Sequence, residues 1–144
     1  MSKRGHRKSI LNPEFEMTGI AYCSHAKMAK MIVIVYAGGF TPFKCASPIK
    51  QNRMKMAGRE ELVAFNEQNW IRTKPWSVQE DIKAQLQTFD STGKIMKIPN
   101  GVEIRTHAGI GEWQEAVKEL GRQKVLPALQ WNDYLALAAD DHCK

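Results

Sequence analysis

The side chains in this chain that could do chemistry are few, and they are scattered. Four histidines stand at His6, His25, His107 and His142, and three cysteines at Cys23, Cys45 and Cys143. The densest run of ligand types is Asp140-Asp141-His142-Cys143. Neighbouring helical positions point ~100° apart, so these four would not converge on one ion and read as a solvated helix end. His25, in Cys23-Ser24-His25, falls in a loop between two expected strands, and His107 follows an expected hairpin; both read as surface histidines. An odd set of three cysteines allows one intrachain pair and one free thiol, and Cys23 with Cys45 is one candidate pair. No G-x-S-x-G, phosphate loop or CxxC is present. Gly109-Ile110-Gly111 lacks the third glycine of a dinucleotide fingerprint and reads as a turn leading into a helix.

Charge suggests a partner before it suggests a reaction. The 144 residues carry 21 basic and 15 acidic side chains, a net charge of +6, which by itself points to nucleic acid or an acidic membrane. The distribution alters that reading. Residues 1–59 hold 11 Lys/Arg against Glu14 and Glu16 only, a balance of +9, and residues 60–144 hold 10 against 13 acidic residues. Eight of those 11 fall into two groups, Lys3, Arg4, Arg7 and Lys8, then Lys44, Lys50, Arg53 and Lys55. Nucleic-acid binding would require them on one face with aromatics between them. Tyr22, Tyr36, Phe40 and Phe43 are close in sequence, but the strand pattern buries most of them, so a solvated basic surface is favoured over a nucleic-acid partner. A small basic nucleic-acid-binding α/β protein stands as the alternative.

The elements that must position these groups are mixed. Two strands are expected over 14–22 and 28–36, the second an unbroken β-branched run suited to a strand covered on both faces. Gly38-Gly39 ends it, and 41–58 reads as a linker or surface loop. A helix follows with Leu62, Phe65, Asn69 and Trp70 near one face and Pro75 as its stop. Ser77 and Glu80 have capping-box spacing for a second helix carrying Val78, Ile82, Leu86 and Phe89. Lys94–Ile98 and Val102–Arg105 alternate around Asn100-Gly101, a hairpin signal. A third helix over 111–123 would bury Trp113, Val117 and Leu120. A fourth would begin near Trp131 and present Leu135, Ala138 and Ala139 for close packing. The longest apolar run, Met31 to Ala37, is too short to cross a membrane. The basic N-terminus has no apolar signal-length segment after it.

Two stretches resemble one family, the CAP or SCP-like domain of cysteine-rich secretory proteins, venom allergens and pathogenesis-related proteins. Gly5-His6-Arg7-Lys8-Ser9-Ile10-Leu11-Asn12-Pro13, with Thr18 to Ala21 and Val33 to Phe40, resembles the domain's closing part. Leu126-Pro127-Ala128-Leu129-Gln130-Trp131 through His142 resembles its opening helix, and Phe65 to Pro75 is similar to an "LN-x-x-R-x-x-P" lead-in. The order is reversed. A piece of a tandem array is the favoured explanation over a free-standing gene product, a mis-delimited product or a circular permutant. The resemblance implies an α+β fold, an incomplete α-β-α sandwich, divided as 1–43 (closing part), 44–58 (linker) and 59–144 (opening part).

It also implies a secreted-type binding module for a lipid, sterol or protein ligand, in an apolar groove whose residues the sequence does not name. Catalysis is not expected. Family members build a metal cleft from two histidines and two acidic residues, and His6 alone matches one of the four. One imidazole does not hold a zinc-like ion, so no cofactor is expected in this chain, although a complete domain could take a divalent metal. The compartment implied is extracellular, or cytoplasmic if the chain is the full product. Strands lacking their family partners should leave sheet edges open to self-association.

Overall fold

The computed structural model describes residues 3–25, 29–39 and 58–143, and the side chains from Gly5 onward within those ranges. The fold class is α+β. In chain order the elements are α1 (Lys3–Ile10), β1 (Met17–His25), β2 (Ala29–Ala37), α2 (Arg59–Thr73), α3 (Pro75–Leu86), β3 (Ile95–Lys97), β4 (Glu103–Arg105), α4 (Gly109–Leu120), β5 (Gln130–Trp131) and α5 (Asp133–His142). They form two compact units, Met1–Thr73 with Leu126–Lys144, and Lys74–Val125. The first unit takes members from both the 1–43 and the 59–144 segments. The expected linker lies almost wholly outside the described residues.

The first unit is built on a three-stranded sheet ordered β2-β1-β5. β1 and β2 pair antiparallel from Met17↔Ala37 to His25↔Ala29, and β5 joins parallel through Met17↔Gln130 and Thr18↔Trp131. Side chains alternate across a strand, so the sheet has an even face and an odd face. Gly19, on the odd face, meets α5: a Cβ there would lie 2.0 Å from the Ala136 nitrogen. Only a residue without a side chain lets the α5 backbone approach so closely. On the even face Tyr36 reaches α2, donating its hydroxyl hydrogen to Gln68 Oε1 at 2.6 Å. Ile20 on the even face, Ala21 on the odd face, Leu129 and Ala139 are buried apolar residues of this unit.

The second unit packs α3 against α4, where Gln79 Nε2 donates to the Val117 carbonyl at 2.9 Å. Phe89 meets Trp113 edge-on at 5.7 Å, and Leu120 is buried. The expected hairpin forms as β3 and β4. Its loop is Pro99 to Gly101, three residues closed by the bond from the Ile98 amide to the Val102 carbonyl, and Asn100 (φ 94) and Gly101 (φ 78) both adopt left-handed backbone there.

Several expectations are corrected by this arrangement. β2 is the sheet's outer strand and its covering is incomplete, with none of its residues fully buried and Ile32 48% exposed. A β-branched run is also favourable at an edge, because its propensity reflects the pleat as well as burial. The buried stripe of α2 is Glu61, Gln68 and Arg72, while Leu62 is 47% exposed. Glu61 and Arg72 satisfy backbone atoms of other segments and Gln68 holds the Tyr36 hydroxyl, roles hydropathy does not register. Ser77 caps nothing. α3 begins at Pro75, whose fixed φ suits the first helical position, and Lys74 is its uncapped N-cap. Glu80 instead pairs with Lys83 at 2.6 Å. Trp131 belongs to β5, and α5 starts later under an Asn132 cap, whose Oδ1 accepts from the Tyr134 and Leu135 amides. Its buried small residues are Ala136 and Ala139, with Ala138 exposed. Cys23 pairs not with Cys45 but with Cys143, Cα–Cα 6.1 Å, because α5 lies on the odd face beside Cys23. Cys45 lies outside the described residues.

Candidate functional site

The first unit has a groove of about 480 Å³ between α1 and β2. One wall is Gly5, His6, Ser9 and Ile10, and helical spacing puts residues three and four apart on a common face. The other is Ile32, Ile34 and Tyr36, every second residue of β2 and therefore its even face. The lining is apolar except at His6, Ser9 and the Tyr36 hydroxyl. Ser9 Oγ donates to the Gly5 carbonyl at 3.1 Å and so is engaged within its own helix. The Tyr36 ring stacks on Phe15 at 5.2 Å, and its hydroxyl is held by Gln68. Burial pushes the Tyr36 pKa up from 10.0 to about 12, against an opposing pull from the Arg72 charge. A phenol held neutral in this way contributes surface and one hydrogen bond. It does not serve as a base near neutral pH.

Arg72 fixes the α1 wall. It is 1% exposed, and its guanidinium donates to four backbone carbonyls. Nη1 reaches Ile10 (2.8 Å) and Asn12 (2.9 Å), Nη2 reaches Phe15 (3.0 Å), and Nε reaches Pro127 (2.9 Å). The Ile10 carbonyl is among those a helix end leaves without an internal partner. Burial lowers the Arg72 pKa from its ordinary value, and its interaction with Tyr36 works in the opposite direction. One turn earlier, Asn69 clasps Leu129 in both directions: Nδ2 donates to its carbonyl (3.1 Å) and Oδ1 accepts from its amide (2.7 Å). Periodicity put Asn69 on the face of the helix without its role, and missed Arg72 because it is charged. The signal that was present is the Asn69-x-x-Arg72-x-x-Pro75 spacing itself.

β1 is closed on its far side by similar means. The Glu16 and Thr18 carbonyls accept from the Gln130 and Asn132 amides, and the Tyr22 amide donates to Glu61 Oε1 at 3.2 Å. Phe65 meets Trp131 edge-on at 5.6 Å, and the Trp131 indole donates to Asp133 at 2.8 Å.

The sequence-derived candidates do not assemble into a catalytic or metal centre. His6 lines the groove, exposed. His25 ends β1, His107 follows β4 and His142 ends α5. Cys143 is engaged in the disulfide. Among the described residues no three His, Cys, Asp or Glu side chains are grouped to hold a metal ion. In the second unit, the Asp90 carboxylate is enclosed by its own loop. Partial burial would raise its pKa, but the Ile95 and Lys94 amides and the Thr92 hydroxyl outweigh that and lower it. No helix among the described residues is long and apolar enough to cross a membrane. Of the basic groups considered for nucleic acid, Lys44, Lys50, Arg53 and Lys55 lie outside the described residues, and the first group belongs to α1.

Compared with protein-family models, with curated proteins and with solved structures, the chain finds no match that stands above chance.

Proposed function

We propose that the chain is a non-catalytic, secreted-type binding module of the CAP-like kind, an incomplete α-β-α sandwich that takes a lipid, sterol or protein ligand between α1 and β2. The observation that carries this reading is the groove: its volume of about 480 Å³ falls in the range of small-ligand sites, and Ile10, Ile32, Ile34 and the Tyr36 ring line it. Two further features support it. The segments that resemble the closing and opening parts of that domain engage each other, with β5 pairing on β1 and α5 packing on the same sheet. The Cys23–Cys143 disulfide suits an oxidising compartment. His6 would sit at the rim as a polar contact for the ligand's head group. A fluorescent sterol, a fluorescent fatty acid and an array of extended peptides serve as probes for the intact chain. Saturable binding of any one class, weakened at least about tenfold by a charge in the groove through Ile34→Arg, is the expected result. If none of the three binds saturably, the reading is wrong.

A further inference from the structure

In the second unit, β4 is joined to β3 on one side and open on the other. The Ile98 amide donates to the Val102 carbonyl and the Thr106 amide to the Lys94 carbonyl. Hydrogen-bonded pairs therefore fall on the even residues of the hairpin, Met96↔Ile104 among them. The odd residues must turn their N–H and C=O groups away from the partner strand. On β3 these groups are already engaged: the Lys97 amide donates to the Thr88 carbonyl, and the Ile95 carbonyl accepts from the Asp90 amide. On β4 they belong to Glu103 and Arg105, and among the described residues no strand lies beside them. All of β4 is exposed, Ile104 at 40%. The strand contains no proline, and what guards its edge is the charge of Glu103 and Arg105.

We propose that this edge pairs with the same edge of a second copy, antiparallel about Ile104, so that each Glu103 lies opposite the other copy's Arg105. Two constraints select that register together. Pairing through the outward groups of Glu103 and Arg105 sets odd residues opposite odd residues. Centring on Glu103 then places Glu103 against itself, and centring on Arg105 places Arg105 against itself. Centring on Ile104 sets both charges against their opposites, and only opposite charges directly across a strand pair are stabilising. Parallel pairing in register sets each charge beside its own kind and is excluded by the same rule. On the other face Ile104 meets its own copy at a position without hydrogen bonds between the strands, where side chains approach most closely. Val102, 55% exposed, lies next to it on that face. The product is a continuous sheet ordered β3-β4-β4-β3. Its outer edges are the β3 strands, whose outward groups the Thr88 to Asp90 segment already holds. Assembly through this edge thus closes at a symmetric dimer. The inference concerns β4 alone and stands independently of the ligand groove.

The test follows the mass of the intact chain by sedimentation as its concentration rises, in a Cys45→Ser background that excludes disulfide-linked copies. A reversible monomer–dimer equilibrium is expected. Glu103→Arg makes both edge charges positive and Arg105→Glu makes both negative. Each should weaken dimerisation at least about tenfold. An equimolar mixture of the two should regain it, because every facing pair is then opposite in sign. The double exchange, Glu103→Arg with Arg105→Glu, should dimerise as the natural chain does. Both positions are exposed, and circular dichroism of each variant checks that its fold is unchanged. Amide exchange read by NMR should slow with concentration at Glu103 and Arg105, and not at Ile104, which is already bonded to β3. A chain that stays monomeric at about 1 mM overturns the proposal. So does assembly beyond two copies, or a dimer indifferent to the single exchanges. A mixture that fails to recover the dimer overturns it as well, since the two edges then do not face each other.

Discussion

Arg72 and Tyr36 are the two residues on which the groove depends, and both act by being held. Arg72 spends its donors on carbonyls of four different residues, which ties the end of α1, the loop after it and the Pro127 segment to one point of α2. A lysine offers one rotating ammonium in place of the planar fork and cannot serve those directions together. Tyr36 is linked to the same helix through Gln68. Its folded-state pKa is raised from 10.0 to about 12, so the folded protein favours the neutral phenol. Its contribution to stability is therefore complete below pH ~10 and is lost as the pH rises from there through about 12, on the order of 2 kcal/mol in all. Thermal melts across that window should show a steeper fall for the natural chain than for Tyr36→Phe, which has no group to ionise there. Parallel curves would show that the phenol is not held neutral.

At the scale of elements, the contact between β1 and α5 sets the thickness of the first unit. The Cβ that Gly19 lacks would fall 2.0 Å from the Ala136 nitrogen and 2.6 Å from the Leu135 Cβ. Backbone cannot yield as a side-chain tip can, so Gly19→Val forces α5 off the sheet or leaves it unfolded. A loss of about 3 kcal/mol or more is expected in urea denaturation, in line with strain at other overpacked sites. Gly5→Val serves as a control, because a Cβ at Gly5 meets nothing within 4 Å. Comparable losses in both variants would mean that the close approach to α5 does not set the cost. The hairpin was legible from the sequence because two adjacent residues specify its turn. The stripe of α2 was not, since Glu61 and Arg72 are buried to satisfy distant backbone groups and Gln68 to hold the Tyr36 hydroxyl.

At the scale of the whole molecule, the Cys23–Cys143 disulfide joins residues 120 positions apart. Closing so long a loop restricts the unfolded chain strongly, by about 4 to 5 kcal/mol in the loop-entropy account. Reduction should lower the urea midpoint accordingly. The comparison belongs in a Cys45→Ser background, so that the third thiol cannot exchange into the bond. An unchanged midpoint would mean that α5 stays docked on the sheet by packing alone.

The sequence by itself determined the α+β class, the hairpin at Asn100-Gly101, the β1 and β2 strands, and the stop at Pro75, because each is written in neighbouring residues through turn chemistry or local periodicity. The tertiary structure decided which cysteine meets Cys23, that β2 lies at an edge, and that His6 borders a groove with Ile32 and Ile34. It also decided that Arg72 holds the α1 wall of that groove and that Asn69 clasps the Leu129 backbone. Each of these depends on residues tens of positions apart being brought together. Which of them meet is settled by burial and by the demand that every buried backbone group find a partner, and neither condition acts until the chain has closed on itself.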